Sequence, residues 1–523
     1  MEVSPALFSV NALATVALML LAALLPQFPR IAVCALWRAF VGLSGSALAL
    51  ALIALLAGPA ALQLPAGLQA SHLGLGMAVL VQLLGTVIGG FSARYLQGES
   101  GQRRYVAALA VVLAAVQLLL MADHWMVLII SWALVGLALQ HLLRFYPDRP
   151  FARLAALKKQ IADRAADGLL IGAAALAWVE VGSGSLSDLW VHLAREGMST
   201  PLQLSAVGLV LAVILRTALL PVHGWLIQVM EAPTPVSALL HAGVINLGGF
   251  VLIRFAPLLE QATPARTLLL LFGLFTAVLA GMVMLTRISI KVRLAWSTVA
   301  QMGFMLLECA LGLYTLAALH LIGHSLYKAH AFLSASTIVR QTRLQAMHAP
   351  TAPTATSLVL APVLAGAAVV LIQSASGQAA WPWWWSAAMG LAWAPLLWLP
   401  AARTGLRAPI RQLAGGLLMV TGLTVAALLA HALPLGLQDA PHHTLGVVAL
   451  TAMAALYLVL ALLQRLPLAL STGRRWSYAG FYVDETFTRL ALQLWPGRWI
   501  AQPLRNPASL ALPPTPLATD VRQ

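Results

Sequence analysis

Three protonatable side chains, His320, His324 and Lys328, recur every fourth residue in the apolar stretch ALHLIGHSLYKAHAFLSAS. Spacing of this kind stacks them along a single helix face, while His330 falls off the stripe. Groups that take up and release protons, lined along an apolar helix, form a wire on which a proton can step. Zinc at His320 and His324 is the competing reading, because His-x-x-x-His on a helix suits that metal. Such a site needs a third protein ligand, and Glu308 is the candidate if its span folds back.

A second group lies upstream. The stretch LVLAVILRTALLPVHGWL carries Arg216, and an ionisable residue inside a span marks a pathway or an internal partner. Shortly after it Pro221 removes a backbone donor and breaks the helix. Pro233 and Pro235 punctuate the start of the next helix, in the run EAPTPVSALLHAG, and His241 follows inside it. Broken helices at membrane depth are tolerated where they face protein or a watery cavity, and they are typical of ion-handling sites. We therefore assign Arg216, His241, His320, His324 and Lys328 to one proton or ion pathway, with Glu308 and His141 as further members. Arg164, Asp167, Glu231 and Lys291 are supporting charges. Asp167 behind Arg164 reads as a helix-end pair, and Glu231 is an acid near enough for Arg216 to bias. An arginine stays charged. Arg216 is thus a fixed charge acting on His241 or Glu231, and the titratable members are His241, His320, His324 and Lys328.

These residues need an apolar scaffold, and composition supplies one. Of 523 residues, 61% are hydrophobic and 9% charged, with a mean hydropathy of +0.88. Soluble domains carry about 25% charged residues. The chain cannot coat a water-facing surface of its size, so the expected class is an all-α polytopic membrane protein. About fifteen stretches are long enough to span. They lie near 5–27, 39–62, 72–93, 105–122, 125–145, 167–183, 203–222, 236–256, 267–286, 292–311, 313–338, 356–376, 383–401, 413–432 and 444–464. The first lacks a basic n-region and does not read as a cleaved signal peptide.

The 31 Lys and Arg against 16 Asp and Glu give a net charge of +15. In a soluble protein that excess would suggest nucleic acid, but here the basic residues sit in alternate short loops and set topology. Arg94, Arg103 and Arg104 fill one such loop; Arg149, Arg153, Lys158, Lys159 and Arg164 fill another. The N-terminus is then expected outside and the C-terminus in the cytoplasm. Cys34 and Cys309 form neither a disulfide framework nor a metal pair. Trp381, Trp383, Trp384 and Trp385 read as an aromatic belt at the outer interface. Residues 1–466 form the membrane domain, and 467–523 an amphipathic cytoplasmic segment followed by a disordered tail.

The segments RTALLPVHGWLIQVMEAPTPVSALLHAGVINLGGFVLIRF, KVRLAWSTVAQMGFM and HLIGHSLYKAHAFLSAS resemble the antiporter-like, proton-translocating subunits of respiratory complex I and Mrp antiporters. The resemblance covers roughly 75–340 and implies two inverted five-helix repeats with broken helices around a polar axis. It implies that Arg216 stands in place of the key lysine of the first broken helix. His241 matches the next titratable position, His320, His324 and Lys328 match the connecting relay, and Lys291 and Arg293 fall in the cytoplasmic turn. Two departures stand out. Trp132 is followed by Ala133 where the family has glutamate, and the spans near 356–376 and 383–401 hold no lysine for a distal site. The chain also ends without the long lateral helix of the complex I subunit.

A narrower resemblance accounts for those departures. SWALVGLALQHLLRFYPDRPFARLAALKKQIADRAAD and GFYVDETFTRLALQLWP are similar to DabB, the membrane-subunit family of bacterial DAB inorganic-carbon accumulation complexes. The resemblance implies a DabA-like, zinc-containing, carbonic-anhydrase-like partner that does the chemistry, with no cofactor in this chain. Protons or Na⁺ passing through the membrane subunit would energise CO2 hydration or bicarbonate uptake. The alternatives are a complex I-like or Mrp-type proton-translocating subunit, and a non-conducting membrane anchor.

Overall fold

A computed structural model describes residues 5–62, 64–335, 352–377, 381–400, 407–466 and 470–494. Its regular structure, among these residues, is helical. Chain order begins with α1 (Pro5–Leu24), α2 (Val33–Ala57), α3 (His72–Tyr95), α4 (Gln102–Leu120) and α5 (Trp125–Leu143). Then come α6 (Pro150–Val181), the short α7 (Leu186–Glu196), α8 (Thr200–Arg216) and α9 (Gly224–Gln228). The middle holds α10 (Thr234–Ala242), α11 (Leu247–Arg254), α12 (Ala256–Gln261), α13 (Thr263–Leu285), α14 (Ile290–Leu311) and α15 (Tyr314–Leu333). The remainder is α16 (Ala355–Ala375), α17 (Trp383–Trp393), α18 (Arg407–His431), α19 (His443–Arg465), α20 (Ser471–Tyr478) and α21 (Val483–Leu494).

Ten helices among the described residues are long and apolar enough to cross a membrane. Each of the fifteen expected spans coincides with helix, but several boundaries move. The span near 39–62 begins at Val33, and the part of 313–338 beyond residue 335 lies outside the described residues. The largest correction is α6. Its hydropathy suggested a span from 167, whereas the helix starts at Pro150 and buries Lys158, Lys159 and Asp163. Those lysines are interior residues, not loop charges. Pro150 opens the helix where its missing N–H costs nothing, and Gly182 closes it in a left-handed cap at φ 72°.

Several helices are interrupted within the membrane domain. α8 ends at Arg216 and regular helix resumes only at Gly224, across a stretch that contains a cis Leu220–Pro221 bond and Ala218 at φ 53°. The next span is split into α10 and α11 by a 3-10 turn over Val244–Asn246. Near the other end α17 gives way to a 3-10 turn over Ala394–Leu397.

Small residues let the helices approach. A Cβ on Gly303 of α14 would lie 2.7 Å from the Gly273 carbonyl of α13, so backbones touch there. Leu56, Val179 and Ile288 stay on the outside, as they would facing acyl chains. The tryptophan cluster is not an interface belt. Trp381, Trp384 and Trp385 are buried and only Trp383 is exposed. Trp384 fits a gap left by Gly446, and its indole N–H donates to His443 Nδ1 at 3.3 Å.

The expected amphipathic segment lies against this chain's own core. α21 packs on α6 and α9, burying Phe487 and Ala491. Residues 495–523, which include the expected disordered tail, lie outside the described residues. Docking depends on Gly224, where a Cβ would stand 1.4 Å from Asp484 Oδ1 and 2.8 Å from Lys158 Nζ. Gly224→Ala is therefore expected to lift α21 away and open the C-terminal segment to protease. A segment as resistant as the wild type's would contradict this packing.

Candidate functional site

Two buried charge groups lie on the interrupted helices and their neighbours. The first surrounds Arg216. Its Nη1 donates to the Trp132 carbonyl at 2.7 Å, and the guanidinium lies 4.7 Å from the Trp132 ring centroid. Its counter-ion is Asp167, which Arg164 also approaches at 3.0 Å from a half-exposed position. One turn earlier on α6, Lys159 pairs with Asp163. Asp163 packs over Gly136 of α5, where a Cβ would sit 2.7 Å from its Oδ2. Lys159, Asp163 and Asp167 are spaced four apart, so one face of α6 carries the whole set. Acid that is absent at Ala133 is thus supplied from the adjacent helix.

The second group is the row on α15. His320 Nδ1 meets Glu308 Oε2 at 2.8 Å, because α14 and α15 form a tight hairpin. That hairpin turns at Gly312, in the left-handed region at φ 76°, where a Cβ would strike the Ala440 carbonyl at 2.0 Å. His320 and His324 have ring centroids 6.1 Å apart. Lys328 is fully buried and donates to the Leu294 carbonyl at 3.0 Å. No carboxylate among the described residues pairs with it. His241 of α10 stacks on Phe332 with centroids 4.6 Å apart. His241, His324 and Lys328 are close enough for their charges to interact.

Among the described residues, neither ring nitrogen of His241 or of His324 has a protein partner, and all four are buried. Buried polar atoms are normally satisfied by protein or water. The row therefore has hydrogen-bonding capacity that water or a migrating proton can use. At the break in the α10–α11 span, Asn246 Nδ2 donates to Ser325 Oγ at 2.7 Å, tying the interruption to the row.

The other expected members fall elsewhere. His141 is exposed at the last turn of α5 and does not join the buried set. Glu231 faces Arg149, whose Nη1 donates to the Glu231 carbonyl at 2.9 Å and lies 3.8 Å from its carboxylate. Lys291 donates to Thr234 Oγ1 at 2.7 Å and holds the start of α10. Pro233 caps that helix and Pro235 lies in its first turn, both buried, while Pro221 is exposed within the break. Asp167 is not a mere helix-end partner of Arg164 but the carboxylate in direct contact with Arg216, with Asp163 close enough to add its charge. Lys159 and Asp163 are buried charges, and the partly exposed Asp484 pairs with buried Lys158; none of them stands among the sequence-predicted site residues. The i, i+4 run from 159 to 167 was the available signal.

Interrupted helices carrying buried basic side chains define an antiporter-like membrane subunit. The family model described as NADH:quinone oxidoreductase/Mrp antiporter, transmembrane, matches residues 122–351, which hold both charge groups. The Mrp complex from Dietzia has a similar fold, with TM-score 0.58 and 23% identity, covering 94% of this chain and 61% of that one. The archaeal membrane-bound sulfane sulfur reductase gives TM-score 0.60 at 16% identity, covering 92% of this chain and 100% of the other. These likenesses establish an all-helical, antiporter-like membrane fold. A probable inorganic carbon transporter subunit DabB of Hydrogenovibrio crunogenus is 38% identical over 442 residues, 82% of this chain and 83% of that protein. A probable DabB2 of Halothiobacillus neapolitanus is 45% identical over 289 residues, 54% of this chain and 52% of its own length. The chain belongs to the DabB family of inorganic carbon transporter subunits.

Proposed function

We propose that this chain is the proton-conducting membrane subunit of an inorganic-carbon uptake complex. It sits in a bacterial inner membrane with its N-terminus periplasmic and its C-terminus cytoplasmic. Protons moving down their gradient step along Glu308, His320, His324, Lys328 and His241. Arg216, fixed by Asp167, biases the row without exchanging protons itself. The energy is delivered to a DabA-like, zinc-containing, carbonic-anhydrase-like partner, which hydrates CO2 or accumulates bicarbonate. This chain binds no cofactor of its own and is not itself an enzyme.

One observation carries this reading. Among the described residues Lys328 is buried with a backbone carbonyl but no carboxylate, beside two histidines whose ring nitrogens have no protein partner there. A charge that the protein does not neutralise permanently is suited to one that comes and goes. Buried charges that are held permanently are paired, as Arg216 and Lys159 are. Membranes containing the complex are expected to lose inorganic-carbon uptake when an uncoupler collapses the proton gradient, and to keep it in sodium-free medium. Survival with uncoupler and loss without sodium would assign Na⁺ to the pathway and overturn the proton assignment.

A further inference from the structure

A third ionic contact lies outside both groups. Lys158 is completely buried on α6, and its Nζ donates at 2.7 Å to Asp484 Oδ1 of α21. Gln228 Nε2 donates to the other oxygen at 3.4 Å. The Asp484 side chain keeps 28% of its surface exposed, so it faces solvent and interior at once. His223, buried in the break after α8 with its ring 4.9 Å from Trp296, lies within electrostatic reach of both partners.

The backbone that delivers Asp484 is strained. Gly480, Phe481 and Tyr482 all adopt left-handed angles, with φ of 67°, 55° and 56°. Bulky residues hold such angles only where surrounding structure imposes them, and these outliers cluster at functional sites. A simple surface helix would not need this turn. The turn serves to aim one carboxylate at one buried lysine, through the gap that Gly224 leaves open.

We propose that Asp484 is a proton-transfer residue at the cytoplasmic mouth, exchanging protons between water and buried Lys158, with His223 next inward. In the transfer an N–H bond of the Lys158 ammonium breaks and an O–H bond to Asp484 forms. The ion pair becomes a neutral pair, so net charge in the buried site does not change. The C-terminal segment is then part of the pathway rather than a peripheral tail. Other charges nearby are Glu485, adjacent on α21, and Arg287, which faces Glu485 from the loop after α13.

This inference rests on the conduction reading, and the test separates the two. The purified complex in proteoliposomes is given an imposed pH gradient, and proton flux is followed across a pH series. A wild type with no flux would defeat the conduction reading itself. With wild-type flux present, D484N is expected to slow it about 100-fold, the lower end for a positioned proton-transfer group. Loss of the ion pair could also simply free α21, so D484E is the deciding variant. It retains the docking charge but moves the carboxylate, and is expected to conduct with an altered pH profile. D484E with an unchanged profile, or D484N with wild-type flux, overturns the role of Asp484 and leaves the conduction reading standing.

Discussion

Replacing Lys328 with methionine is expected to reduce inorganic-carbon uptake about 100-fold, as loss of a positioned proton-transfer group would, while the complex still assembles. The separation follows from how the lysine is held. Its ammonium contacts the Leu294 carbonyl, which already accepts from Thr298 Oγ1 at 3.1 Å. Removing it therefore orphans neither a carboxylate nor that carbonyl. Methionine has similar length and volume, and volume-conserving swaps in packed interiors usually cost less than about 1.5 kcal/mol. Lys328→Arg should fail as well, because a guanidinium does not release its proton. Uptake by cells relying on this complex, normalised to the amount recovered by affinity purification, gives the answer. Wild-type uptake in Lys328→Met at normal abundance would remove Lys328 from the pathway.

The row on α15 was legible in the sequence because its chemistry follows helical periodicity. Residues 320, 324 and 328 must share a face wherever a helix forms, and an apolar stretch of that length forms one. The break after α8 was legible too, since Pro221 cannot continue regular helical hydrogen bonding, whereas the split at Val244–Asn246 holds no proline and left no such signal. Lys159 and Asp163 were hidden by the same reasoning that finds spans. Charged residues lower hydropathy, so the span was expected to begin only at 167. Inside a helix those charges neutralise one another, and the composition of the segment cannot show it. The Asp484–Lys158 pair joins positions 326 residues apart, and no local pattern encodes it. The tryptophan cluster misled for a related reason. Aromatic residues at a span end suit an interface, but Gly446 opens a gap that admits Trp384 to the interior. Trp385 then lies 6.1 Å from Phe304, which in turn lies 6.0 Å from His320, so the cluster closes over one end of the row.

Asp167→Asn is expected to act differently from a Lys328 substitution, by removing the protein rather than its activity. The Arg216 side chain is 4% exposed and stays charged. Its nearest alternative acid, Asp163, is engaged by Lys159, and Arg164 adds another positive charge instead of relieving one. Breaking a buried pair by deleting one partner typically costs about 3–5 kcal/mol, because the remaining charge is stranded. A membrane protein of ordinary stability does not tolerate that loss easily, so the variant should accumulate poorly and fail to assemble. Removing both charges, in Asp167→Asn with Arg216→Gln, should restore abundance, since no uncompensated charge remains. On the proposed role of Arg216 as a fixed charge that biases the row, uptake is expected to stay impaired in that double variant with a shifted pH dependence. Immunoblotting of membranes decides the first half: normal levels of Asp167→Asn would show that Arg216 has another counter-ion. Restored abundance with wild-type uptake and pH dependence would reduce the Arg216–Asp167 pair to a structural tie between α6 and α8.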